Sequence, residues 1–212
     1  MTLLSSFVTE MELILNVVVA SNELHAKWLN TLSYLENCGA RKIAACEHPT
    51  LVKEEMLKHA AEEFRHAHYL KRQMQKLTFE PMSTYSLSDI LGGIDTLHYL
   101  SALDLKTSRY LKTLGFSNSV IRERAYVLVT YAIELRAAEL YPIYDNVLRK
   151  AGSRIAVKSI LLEEKEHLNE MEEALNVFPD GFIHAEKVCA FEEGLCYEWI
   201  RSISKSVYQK EL

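Results

Sequence analysis

With 212 residues, 49% of them hydrophobic, the chain is long enough to bury one sizeable core. Seven glycines and four prolines are too few for an all-β chain built on tight turns, so long helices are expected. A formal charge of −5 and a pI near 5.9 leave no electrostatic footprint for nucleic acid or an anionic membrane surface.

The apolar stretch Leu13–Ala20 is preceded by Glu10 and Glu12. It lacks the cationic start of a signal peptide and the roughly 20 apolar residues of a membrane span, so a cytoplasmic protein is expected. Cys38, Cys46, Cys189 and Cys196 form no CxxC pair, which excludes a rubredoxin-type iron site or a zinc ribbon. Free thiols in a reducing compartment are the plain reading.

Apolar residues at three- and four-residue spacing predict a first helix over about 9–37, with Gly39 as its stop. Residues 40–50 read as a connector. A second helix is expected over about 51–77, ended by Pro81 and a Ser/Thr-containing segment. Ser86 or Ser88 could cap a third, over about 86–114, loosened early by Gly92–Gly93. After a turn at 115–118 a fourth runs over about 119–150, and a fifth, capped by Ser153, over about 153–176. The Phe178-Pro179-Asp180-Gly181 break precedes a last helix at about 182–207. No Gly/Ser linker separates these elements, so one domain over 1–212 is expected.

Two Glu-x-x-His units stand on these helices, Glu63–His66 and Glu164–His167. Residues three apart share a helix face, about 4.5 Å apart along the axis, so carboxylate and imidazole can reach one ion together. With 24 Glu and 8 His in 212 residues, about one such unit is expected by chance, so the context carries the argument. On the helix before each unit stands a matching pattern, Glu23-Leu-His-Ala26 and Glu134-Leu-Arg-Ala137, and the two halves read as an internal duplication. Each hairpin offers Glu plus Glu-x-x-His. Two together offer four Glu and two His, the ligand set of carboxylate-bridged di-iron and di-manganese bundles. The expected ligands are Glu23, Glu63, His66, Glu134, Glu164 and His167, with Glu36 and Glu139 as rivals to Glu23 and Glu134. Anionic bridges hold two divalent ions close together while imidazole terminates each.

On these residues the sequence resembles the ferritin-like superfamily of di-metal carboxylate proteins, over roughly residues 9–77 and 119–176. The departure is the 40-residue step from Glu23 to Glu63, against about 30 in the family. The resemblance implies a ferritin-like four-helix bundle with two additional helices, and two Fe ions (or Mn/Fe) as cofactor. It points to a di-iron oxygenase or oxidase whose partners are dioxygen, a small-molecule substrate and an electron donor. No catalytic residue beyond the metal ligands is expected, and a homodimer is compatible with it. Iron handling, as ferroxidase, storage protein or rubrerythrin-like peroxidase, is the alternative, and a non-catalytic scaffold a third; a 24-subunit cage in solution would favour storage.

Near the ligands, His59 lies one turn before Glu63 and could be a third imidazole or a core histidine; its counterpart in the second half is Ile160. His25 and His68 are expected at the surface. Tyr131 and Tyr141 could approach the site. Pro142 removes a helical amide and could open space or merely adjust packing. Glu62 and Glu163 are rotated about 100° from the ligands, solvated or hydrogen-bonded behind them.

Overall fold

Residues 7–78, 80 and 82–208 are described by a computed structural model, and these described residues form seven α-helices and no strand. They are α1 (Val8–Ala20), α2 (Asn22–Cys46), α3 (Glu54–Met74), α4 (Gly93–Thr113), α5 (Asn118–Lys150), α6 (Lys158–Val177) and α7 (Gly181–Tyr208). Pro81, expected to end the second helix, lies outside the described residues.

The first long helix is two helices. Ser21 adopts an extended conformation, and its hydroxyl accepts from the Leu24 amide at 3.4 Å, which makes it the N-cap of α2. Gly39 does not stop that helix. Beyond it Ala40 and Ile43 are buried, Ile43 against Met56 and Ala60 of α3, and this packing carries the helix to Cys46. The expected connector 40–50 thus shrinks to 47–53.

Gly92 caps α4 and Gly93 begins it rather than loosening it early, so the helix starts seven residues later than the expected 86. Gly92 has φ 77°, and a Cβ there would come within 2.6 Å of the Thr96 hydroxyl, so only glycine fits. The irregular chain ahead of it is pinned from α2, where the Asn30 amide donates to the carbonyls of Thr84 and Asp89 at 3.0 and 2.9 Å.

α5 runs unbroken through Pro142, whose ring faces solvent. Residues 151–157 are non-helical, so α6 starts at Lys158 and not at Ser153. Extended chain covers up to about 3.3 Å per residue, and this stretch absorbs the offset that would otherwise separate Glu134 from Glu164.

α2 and α3 pack as one antiparallel hairpin, α5 and α6 as another, while α4 and α7 pack on each other and on α5. Trp28, Trp199 and Tyr99 stack in series inside, with ring centroids 6.1 and 5.4 Å apart. Arg136 of α5 forms a bidentate pair with Glu192 of α7 at 2.9 Å, both buried.

Candidate metal centre

Four helices turn acidic and imidazole side chains into the space between the two hairpins. On α3 the i, i+3 pair Glu63 and His66 faces inward, and on α6 so does the pair Glu164 and His167; all four are buried. α5 contributes buried Glu134, α2 contributes Glu36, and His59 joins from α3, 1% exposed. His66 Nδ1 lies 3.0 Å from a Glu164 oxygen and His167 Nδ1 3.3 Å from a Glu63 oxygen. His59 Nε2 lies 3.3 Å from Glu134 and 3.6 Å from Glu63.

These side chains form two groups sharing Glu63: Glu36, Glu63, His66 and Glu164, and His59, Glu63, Glu134 and His167. Within each group the donor atoms lie within 4.8 Å of one another. Two donors bonded to one ion at about 2.0–2.2 Å each stand at most about 4.4 Å apart, so a contraction of a few tenths of an ångström would close either group.

The outer nitrogens fix the rings. His66 Nε2–H donates to Glu163 at 2.6 Å, and His167 Nε2–H donates to Glu62 at 2.9 Å. Each carboxylate thus reaches across to the histidine of the other helix, which sets the tautomer and leaves Nδ1 facing inward. Six inward atoms, His59 Nε2, His66 Nδ1, His167 Nδ1, Glu63 Oε1, Glu134 Oε2 and Glu164 Oε1, are buried without a hydrogen-bond partner. Buried polar atoms rarely go unpaired, and their convergence on one space is what a cation would satisfy. Four carboxylates match the charge of two divalent ions.

Burial, reinforced by the charges of Glu63 and Glu164, pushes Glu36 well above the usual carboxylate range. Burial and the Glu164 charge do the same to Glu134. Burial would raise Glu63 and Glu164 as well, but the histidines against them prevail and hold both low. Burial would lower His167, yet Glu164 and Glu63 outweigh it and push it up to about 11; His66 is raised in the same way, chiefly by Glu164. Without metal, the cluster is therefore a store of protons.

Five of the six expected ligands come together; Glu23 does not. Its side chain is 76% exposed and pairs with Lys27 at 3.4 Å. Glu36 holds the corresponding position and accepts a hydrogen bond from the buried Tyr141 hydroxyl. The signal for it was spacing: Glu36 precedes Glu63 by 27 residues, near the 30 that separate Glu134 from Glu164. Glu139 is turned away, paired with Arg136.

His25, expected at the surface, is buried and shares a 2.6 Å hydrogen bond with the Tyr144 hydroxyl, whereas His68 is exposed. Tyr131 packs in the apolar cluster around Leu128 and Met171. All four cysteines are free thiols. Comparison with protein-family models, with curated proteins and with solved structures returned no match, so the buried Glu/His cluster itself, able to hold metal, is what points to a function.

Proposed function

We propose that the chain is a ferritin-like di-iron oxygenase or oxidase acting on a small organic substrate. The observation that carries this reading is the set of six inward nitrogen and oxygen atoms, contributed by α3, α5 and α6, that are buried without a hydrogen bond. Glu36 and His66 would hold one ion, and Glu134 and His167 the other. Glu63, common to both groups, together with Glu164 and His59 would complete the set of residues that hold them. Two ferrous ions bound there (or one manganese and one iron) supply the electrons that reduce dioxygen and the oxidising power that attacks the substrate. Glu62 and Glu163 keep the imidazoles aimed inward, and Tyr141 fixes the Glu36 carboxylate. Buried walls exclude bulk water from the carboxylates. On this reading the partners would be dioxygen, a small organic substrate and an electron donor.

The test is metal content and the near-ultraviolet/visible spectrum of the purified chain beside a Glu63→Ala/Glu164→Ala variant, followed by dioxygen uptake after loading with ferrous iron. About two metal ions per chain, lost in the variant, with dioxygen consumed by the loaded protein, is the expected result. A chain that refuses added ferrous iron sinks the proposal.

A further inference from the structure

The cluster has two unlike flanks. Toward α2 and α5 its carboxylates share a cavity wall with Leu32, Leu35, Ile133, Ala137 and Leu140, where a hydrated dication would shed its water against side chains that offer no replacement. The other flank is the seam between α3 and α6, and it is laced with charge. Lys58 pairs with Glu170 and Arg65 with Glu163, both at 2.6 Å. Glu163 and Glu62 in turn accept from the outer nitrogens of His66 and His167. Polar groups therefore run from solvent to the buried atoms without a break. The side chain of Arg65 is 55% exposed, Glu163 30%, Glu62 18% and the two imidazoles at most 3%.

Arg65 lies across this path. Its Nη2 is 2.6 Å from Glu163 and 3.8 Å from Glu62, so one cation already sits between carboxylates of opposite helices, where an incoming dication would be drawn. Behind it the rings of His66 and His167 stand 6.0 Å apart, whereas those of His59 and His167 are at 4.0 Å. The wider gap is thus the one that Glu62, Glu163 and Arg65 cover. On the far side of both rings the Nδ1 atoms are buried without a hydrogen bond. An exposed arginine–carboxylate pair is weakly held, so Arg65 can be displaced at little cost.

We propose that divalent metal reaches the cluster through the α3–α6 seam and that Arg65 is the latch on it. The guanidinium leaves Glu163 and Glu62, the ion takes its place between the two carboxylates and passes inward between the imidazoles, and the guanidinium closes behind it. This rests on the metal-binding part of the reading above and not on its oxygen chemistry. A latch sets the rates of entry and exit together and leaves their ratio alone. A residue that only held Glu163 in place would act differently, since its loss would speed exit and weaken binding without speeding entry.

The test is stopped-flow uptake of cobalt(II) by the full-length, metal-free protein, followed by loss of the bound ion to excess EDTA. Arg65→Gln is expected to speed uptake and loss alike, by about two- to fivefold, with the dissociation constant unchanged. Arg65→Lys keeps the charge but not the planar fork, and its rates should fall between the two. Arg65 lies at the surface, and an unchanged number of ions bound at saturation doubles as proof that its variants fold. Rates unchanged in Arg65→Gln overturn the proposal, as does faster loss alone with weakened binding. A chain that binds no cobalt overturns the latch and the metal reading together. Latch-controlled uptake by protein that consumes no dioxygen after loading with ferrous iron upholds the seam and sinks the oxygenase.

Discussion

Glu23 and Glu36 sit on the same helix thirteen residues apart, which at 100° per residue turns them about 140° from each other. One faces Lys27 and solvent, the other the cluster. Glu36→Ala is expected to lower bound metal by about half while Glu23→Ala leaves it unchanged, as elemental analysis of the two proteins would show. The surrounding words of sequence misled here. The Glu-Leu-x-Ala pattern recurs in both halves, but its first copy lies in the first turn of α2 with Glu23 exposed, whereas Glu134 of the second copy is buried in the middle of α5. The two Glu-x-x-His units were legible because their geometry lies within one turn of one helix. The cross-strapping carboxylates were half legible: Glu62 and Glu163 both immediately precede candidate ligands, but which histidine each meets depends on how α3 and α6 pack. Replacing either by glutamine should weaken metal binding by about 10–100-fold, read by competition with a chelator dye. The cluster's proton store has a sign as well. Glu36, Glu134, His66 and His167 are all shifted upward, so without metal these groups retain protons that a bound cation must displace. Metal affinity should thus rise with pH, and calorimetry in buffers of differing ionisation enthalpy should detect protons released on binding; uptake with no proton release would contradict this.

Helix number and order were largely readable from periodicity, and the last helix agrees to within a residue at each end. The misplaced boundaries share a cause. Gly39, Ser86 and Ser153 were read by local preference, whereas Ala40 and Ile43 packing, the left-handed Gly92 and the buried Ile155 and Val157 decide where α2 ends and where α4 and α6 begin. At this scale the tie between α5 and α7 is the most exposed to test. Arg136 is 5% and Glu192 0% exposed, so Arg136→Met leaves a buried carboxylate without its partner. The expected cost is about 3–5 kcal/mol, a midpoint lowered by roughly 6–20 °C for a chain this size. Adding Glu192→Leu should recover most of it, because the penalty lies in the orphaned charge and not in the lost pair. Thermal unfolding of the single and double variants distinguishes the two.

Across the whole molecule, the apolar pattern correctly indicated one all-helical chain, and no helix among the described residues is long and apolar enough to cross a membrane. Pairing of the hairpins was inferable only through the ligand candidates, since the other links between them, such as His25 with Tyr144 and Lys58 with Glu170, follow no local pattern. A cation there joins residues from Glu36 to His167, and binding to the folded chain alone stabilises it by about 2.7 kcal/mol at a hundredfold excess over the dissociation constant. Stripping the metal should therefore lower the midpoint by roughly 5–10 °C, and restoring ferrous iron should reverse it, as scanning calorimetry would record. The six inward atoms between the hairpins have a cellular consequence too. If the cluster holds a metal, protein that has not received it would open more often and be cleared sooner by proteolysis, so its abundance would follow metal supply with no change in synthesis.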